Sequence, residues 1–169
     1  MREPTLVTES EFTAVGDLIV RAYEAGGVLG TDDGYRAVLA DTRGRAAMAQ
    51  VYVVHDDALK PLATVTLSPH GSAYAQVAQP GELEFRMLAV DPSVASRGLG
   101  TQLVGFCAEQ ALARGDQDLV LCVIDTNEAA IRLYKRLGFI HQPDRDLRGW
   151  PGVRLLVLTR AAGPRAGSD

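Results

Sequence analysis

The chain has 169 residues, of which 47% are hydrophobic and 22% charged, and a net charge of −4. That length suits one domain burying about 70% of its unfolded surface, and the acidic balance weighs against a nucleic-acid partner. Two cysteines (Cys107, Cys122) and three scattered histidines supply no metal-ligand spacing. No stretch reaches 18 apolar residues, and MREPTLVTESEF lacks the basic-then-apolar pattern of a signal peptide. A reduced, cytoplasmic chain with no metal and no membrane contact is expected.

PTLVTE reads as a short first strand, and Glu9 to about Ala25 as a helix with Phe12, Val15, Ile19 and Tyr23 on one stripe. AGGVLGTDDG connects it to a second helix, from about Asp33 to Ala46. AQVYVVH (49–55) is strand-like and pairs back through DDALKP with Leu62–Leu67 as a hairpin. A polar loop, Ser68 to Gly81, leads to the strand Glu82–Val90, ELEFRMLAV. Strict alternation there puts Glu84, Arg86, Leu88 and Val90 on one face and Leu83, Phe85, Met87 and Ala89 on the other. Two charges on a central strand need either a cleft or a partner.

After Asp91-Pro92 comes SRGLGTQL, with Gly98 and Gly100 opening a helix that runs to about Arg114. A nucleoside-triphosphate P-loop would need a lysine here, and a dinucleotide fingerprint a third glycine; both are missing. Two readings stay open. The amides from Arg97 to Thr101, with the positive end of the helix dipole, hold a pyrophosphate, or the glycines only make a tight turn. DLVLCVI (118–124) has the continuous apolar run of a strand buried on both faces. Asp125 to Leu137 is a helix with Asp125 as its N-cap, and Gly138 ends it. GFIHQ and RLLVLTR are the last strands. Residues 1–160 form the domain and 161–169 a loose tail.

The stretch RMLAVDPSVASRGLGTQLVGFCAEQA, followed by VIDTNEAAIRLYKRLGF, resembles the GCN5-related N-acetyltransferase (GNAT) superfamily. Gly98 and Gly100 fit that family's pyrophosphate loop, and Asn127, Ala130, Tyr134, Gly138 and Phe139 fit the register of its later helix. The Gln/Arg that opens the family loop falls on Ala95 here, with Arg97 two positions on. The resemblance implies an α/β (α+β) domain with a central mixed, mostly antiparallel sheet, about four flanking helices and strands splayed to admit acyl-CoA. It implies acetyl-CoA as co-substrate, held by Arg97, Gly98, Leu99, Gly100 and Thr101, by the backbone of Leu88 and Val90, and by Asn127.

On the same grounds Tyr134 is expected to protonate the departing sulfur. Glu84 is either a general base, directly or through water, or one half of an ion pair with Arg86; Glu82 is a weaker alternative base. The implied activity is acetyl transfer to a primary amine of a small molecule or peptide by direct attack in a ternary complex. The alternatives are a non-catalytic acyl-CoA-binding regulatory module and an O-acyltransferase. Tyr23, Glu24, Asp32, Asp33 and Tyr35 make a mildly acidic, aromatic set suited to a cationic amine. A homodimer through edge strands is compatible with the family.

Overall fold

The computed structural model describes residues 2–29 and 33–164. β1 (Thr5–Leu6) precedes a capping box, in which the Thr8 amide donates to Glu11 Oε2 at 2.7 Å. A short 3-10 turn then opens α1 (Phe12–Ala25). α2 (Asp33–Ala40) and α3 (Thr42–Met48) follow, then β2 (Gln50–His55), β3 (Pro61–Pro69), β4 (Glu82–Val90), α4 (Leu99–Arg114), β5 (Asp118–Ile124), α5 (Glu128–Arg136), β6 (Ile140–His141), β7 (Leu147–Arg148) and β8 (Arg154–Ala161). The sheet order is β1-β2-β3-β4-β5-β8-β6, with β7 on β8. Among the described residues the one parallel pair is β4–β5, so the sheet is mixed and mostly antiparallel as expected.

Four local expectations are corrected. The second helix breaks at Asp41, whose Oδ1 accepts from the Gly44 amide at 2.8 Å and starts α3 afresh; a capping aspartate competes with helix continuation. α5 is capped by Asn127 and not by Asp125. Asn127 Oδ1 accepts from the Ala130 amide, while the Asp125 amide is spent on the Arg154 carbonyl. β7 is an added strand that its sequence did not announce. The fourth correction lies in β4 and matters most. Register slips between Thr64↔Ala89 and Thr66↔Arg86, and Met87 has φ +52°. Such a bulge sets two residues against one and reverses the alternation beyond it.

The consequence is visible in the core. Leu83, Phe85, Leu88 and Val90 pack with α4 and α5, whereas Met87 and Ala89 join Val15, Ile19, Leu39, Val51 and Val53 under α1 and α2. Glu84 and Arg86 therefore lie on the face opposite Leu88 and Val90, not beside them. The β4–β5 ladder also stops early. Its pairs are Glu82↔Asp118, Leu83↔Leu119 and Glu84↔Val120. From there β4 stays with β3 as far as Val90, and β5 stays with β8 as far as Ile124. A wedge opens between the two strands, with unpaired backbone along its β4 edge.

At the C-terminal end, β8 reaches Ala161 and the Ala162 amide donates to the Gln117 carbonyl. Residues 165–169 of the expected tail lie outside the described residues. No helix among the described residues is long and apolar enough to cross a membrane.

Candidate active site

The turn after β4 is built by its own side chains. Asp91 Oδ1 accepts from the Ser93 amide and hydroxyl, at 3.0 and 2.6 Å, and caps the 3-10 turn Pro92–Arg97. The Ser93 hydroxyl bond is the main cause holding the Asp91 carboxyl below its usual range; burial opposes it, and Arg21 and Lys60 add to it. Gly98 then takes φ +79°, a left-handed conformation in which a side chain is strained, and starts α4. The first bond of α4 runs from the Gln102 amide to the Gly98 carbonyl. The amides of Leu99, Gly100 and Thr101 thus stand at the positive end of a 16-residue helix with no side-chain cap.

Gly100 and Thr101 of this opening border a cavity of about 490 Å³. Its walls are Ser96, Gly98, Gly100 and Thr101 on one side and Ala129, Arg132, Leu133 and Arg136 of α5 on the other, with Ala95, Leu88 and Val90 between them. A Cβ on Gly100 would come within 3.1 Å of Leu133 Cδ2, so glycine lets the two helices close on this cleft. Arg97 is exposed at the end of the turn, and the Leu99 side chain is buried in the core; of these two, only backbone belongs to the helix opening. Sequence reasoning missed Arg132 and Arg136. Their spacing of four, on the stripe shared by Ala129 and Leu133, was the available signal. Arg132 pairs with Glu128 at 3.2 Å, and Arg136 has no ion pair with any described residue. Uncapped amides and two guanidinium groups fit a pyrophosphate.

A smaller cavity of about 240 Å³ continues from Leu88 and Val90 to Asn127, Ala130, Tyr23 and Val28. Asn127 thus both caps α5 and faces the cleft. Tyr134 follows Leu133 but does not line either cavity. Its ring sits in an aromatic cluster, edge-on to Phe85 (5.9 Å) and Phe139 (5.6 Å). Its hydroxyl has no hydrogen bond with a described residue. Burial, with a lesser contribution from Cys107, raises its pKa, so the phenol keeps its proton.

The charged half of β4 is committed to a loop. Glu84 is fully buried, and its Oε2 accepts from the amides of Gln76, Val77 and Ala78 at 2.7, 2.8 and 3.1 Å. Its Oε1 has no hydrogen bond and lies 3.7 Å from Arg86 Nε. Arg86 donates from Nη1 to the Tyr74 carbonyl at 2.7 Å and stacks over the Tyr74 ring. Glu82 takes both Arg145 donors at 2.8 Å and the Gln79 amide at 2.8 Å. Burial works against its charged form, but these bonds outweigh it and hold the Glu82 carboxyl below the ordinary range.

Across the sheet from the cleft lies a pocket of about 270 Å³, walled by Tyr35, Val38, Gln76, Arg86, Met87, Cys122, Ile124, Arg148, Gly149, Trp150 and Leu155. The Tyr35 and Trp150 rings lie 4.9 Å apart. Of the acidic-aromatic set, only Tyr35 lines this pocket, while Tyr23 borders the neighbouring cavity. Glu24 pairs with Arg36 at 2.5 Å at the surface. Asp32 and the Asp33 side chain lie outside the described residues. Among the described residues the charges lining this pocket are those of Arg86 and Arg148. Burial, aided by the Glu84 charge, pushes the Cys122 thiol up to about 12, and burial raises Cys107 as well. Neither is a ready nucleophile.

The sequence profile of the Acetyltransferase (GNAT) family matches residues 14–139. Over 67 residues the chain is 39% identical to an uncharacterized N-acetyltransferase of Methanocaldococcus jannaschii, an alignment covering 40% of this chain and 29% of that protein. It is 37% identical over 65 residues to the thialysine N-epsilon-acetyltransferase of Mus musculus, covering 38% and 37%. The matched stretch is thus about a third of these curated relatives' own length. In structure, the PaiA N-acetyltransferase of Thermoplasma acidophilum in complex with coenzyme A superposes with a TM-score of 0.75 over 95% of this chain and 99% of that one, at 11% identity, a likeness of fold.

Proposed function

The chain belongs to the Acetyltransferase (GNAT) family, and we propose that it moves an acetyl group from acetyl-CoA to a primary amine by direct attack in a ternary complex. The observation that carries this reading is the parting of β4 and β5 after Glu84, beyond which Leu88 and Val90 line the cleft at the uncapped start of α4 and Met87 lines the pocket on the opposite face. Acetyl-CoA in that cleft supplies an acetyl thioester. The amides of Leu99, Gly100 and Thr101, with Arg132 and Arg136, hold the pyrophosphate. The unpaired β4 edge at Leu88 and Val90, with Asn127, lines the path inward.

The amine nitrogen forms a bond to the thioester carbonyl carbon, and the carbon–sulfur bond breaks with its electron pair on sulfur. Tyr134 gives its phenolic proton to that sulfur and recovers one from the nitrogen, so the products are an N-acetyl amide and free thiol. An amine arriving as an ammonium must first lose one proton. Glu84 Oε1, the oxygen without a donor, is the group assigned to accept it through water.

The test is titration calorimetry with acetyl-CoA and dephospho-CoA, followed by thiol release over an amine panel. Binding without turnover of any amine would favour a regulatory module. Absence of binding would remove the pyrophosphate assignment and the enzyme with it. Glu84→Gln separates its two roles. A changed pH profile of kcat/KM with Tm preserved supports the base, and a lowered Tm with the profile kept leaves Glu84 as the anchor of the 76–78 loop.

A further inference from the structure

Resting on that acyl-transfer reading, we propose that the acceptor is a small apolar amino acid, in which Arg86 and Arg148 hold the carboxylate while the amine faces the wedge. Among the described residues the charged side chains lining the pocket are of one sign. Arg86 and Arg148 both line it, and no acidic side chain among the described residues does. Arg86 is itself well placed for an anion. Its Nη1 is taken by the Tyr74 carbonyl and its Nε faces Glu84 Oε1, which fixes the guanidinium plane over the Tyr74 ring and leaves Nη2 without a hydrogen bond to a described residue. Arg148, at the rim on β7, has no ion pair with a described residue. Two arginines lining one pocket suit a carboxylate, which can accept from both.

The rest of the pocket sets the size and character of the remainder. Val38, Met87, Ile124 and Leu155 are apolar, and the Tyr35 and Trp150 rings close one side. A volume of about 270 Å³ is that of roughly nine water molecules at ~30 Å³ each, room for one small molecule. A polyamine would bring a second ammonium against two arginines, an arrangement repulsive at close range. The direction of entry follows from the bulge. Met87 lines this pocket and Leu88, the next residue, lines the cleft. A carboxylate seated on the arginines therefore leaves the α-amine on the side where the two spaces approach each other.

The experiment compares acceptors that differ only by the carboxylate: L-methionine against 3-(methylthio)propylamine, and L-phenylalanine against 2-phenylethylamine, with 1,5-diaminopentane alongside. Thiol release gives kcat/KM, and calorimetry gives binding of acetyl-CoA and of each acceptor. Each amino acid should exceed its decarboxylated partner by about tenfold or more, as expected for hydrogen bonds to a charged group. Arg148→Gln should raise KM for L-methionine several-fold, narrow that ratio and leave kcat near its starting value. Equal or better turnover of the decarboxylated amines or the diamine, with acetyl-CoA still bound, would overturn the carboxylate assignment and keep the acetyltransferase. The carboxylate assignment falls equally if neither amino acid binds or reacts while acetyl-CoA binds. Failure of acetyl-CoA to bind would bring down both.

Discussion

The two spaces on either side of β4 are built in different ways. The cleft is local: Leu88 to Thr101 supplies one wall in fourteen consecutive residues, and one stripe of α5 supplies the other. On the proposed reading its recognition rests on backbone amides, with Arg132 and Arg136 adding charge, and needs glycine at two places. The opposite pocket is assembled from α2, the 70–81 loop, β4, β5, β7 and β8, and its recognition rests on side chains. A backbone site tolerates drift in surrounding side chains but not in its glycines. A side-chain site can change its ligand by single substitutions while the fold stays the same.

The sharpest way to divide the two is Tyr134→Phe. On the proposed role, loss of the general acid should cost about 10²-fold or more in kcat, while acetyl-CoA affinity should stay the same, because the proposed pyrophosphate cradle lies elsewhere. The raised pKa of Tyr134 gives a sign as well. Its acid form persists above the usual tyrosine value of about 10, so wild-type kcat should show no alkaline fall from this residue up to that pH. A fall near pH 9 in the kcat–pH profile would count against it as the proton donor.

Gly98→Val attacks the cleft alone. Forcing a β-branched residue to φ +79° costs about 1–2 kcal/mol or moves the turn, and acetyl-CoA binding by calorimetry should weaken about tenfold with acceptor binding preserved. Unchanged affinity would end the pyrophosphate assignment. Replacing Arg132 and Arg136 together by alanine should weaken acetyl-CoA several-fold and flatten its salt dependence, since both guanidinium groups are solvent-facing and screened. Trp150→Ala is the converse, raising acceptor KM a few-fold and leaving acetyl-CoA binding alone. The smallest effect belongs to Cys122. With its thiol pushed up to about 12, it stays protonated at pH 8 and should react with iodoacetamide far more slowly in the folded protein than in urea, as read by mass spectrometry.

Much of this was legible in the chain. The strands other than β7, the long helices and the glycine turn follow from short periodicities and from the demands of a single helix start. The family resemblance over Glu82 to Ile140 anticipated the open, mixed sheet. The misses have separate causes. At Asp41 and Asn127, several capping residues stood within a few positions, and only the packed geometry chose among them. At Met87, a one-residue bulge turned over the faces of the strand, and a period of two has no means of announcing it. Arg145 reaches Glu82 and Val77 across more than sixty residues, a distance over which no local pattern speaks.

By itself the sequence determined a domain with α/β elements, a strand leading into an uncapped helix start, and the register that ties Asn127, Tyr134 and Gly138 to one helix. Those features depend on residues within a turn or two of one another, where backbone geometry and side-chain period decide. Only the tertiary structure decided that β4 parts from β5 after Glu84, that Glu84 and Arg86 face away from Leu88 and Val90, and that Arg86 and Arg148 line the far pocket together with aromatic rings. Each of these depends on which distant segments the sheet order brings together, and on how packing and hydrogen bonding then satisfy the buried charges.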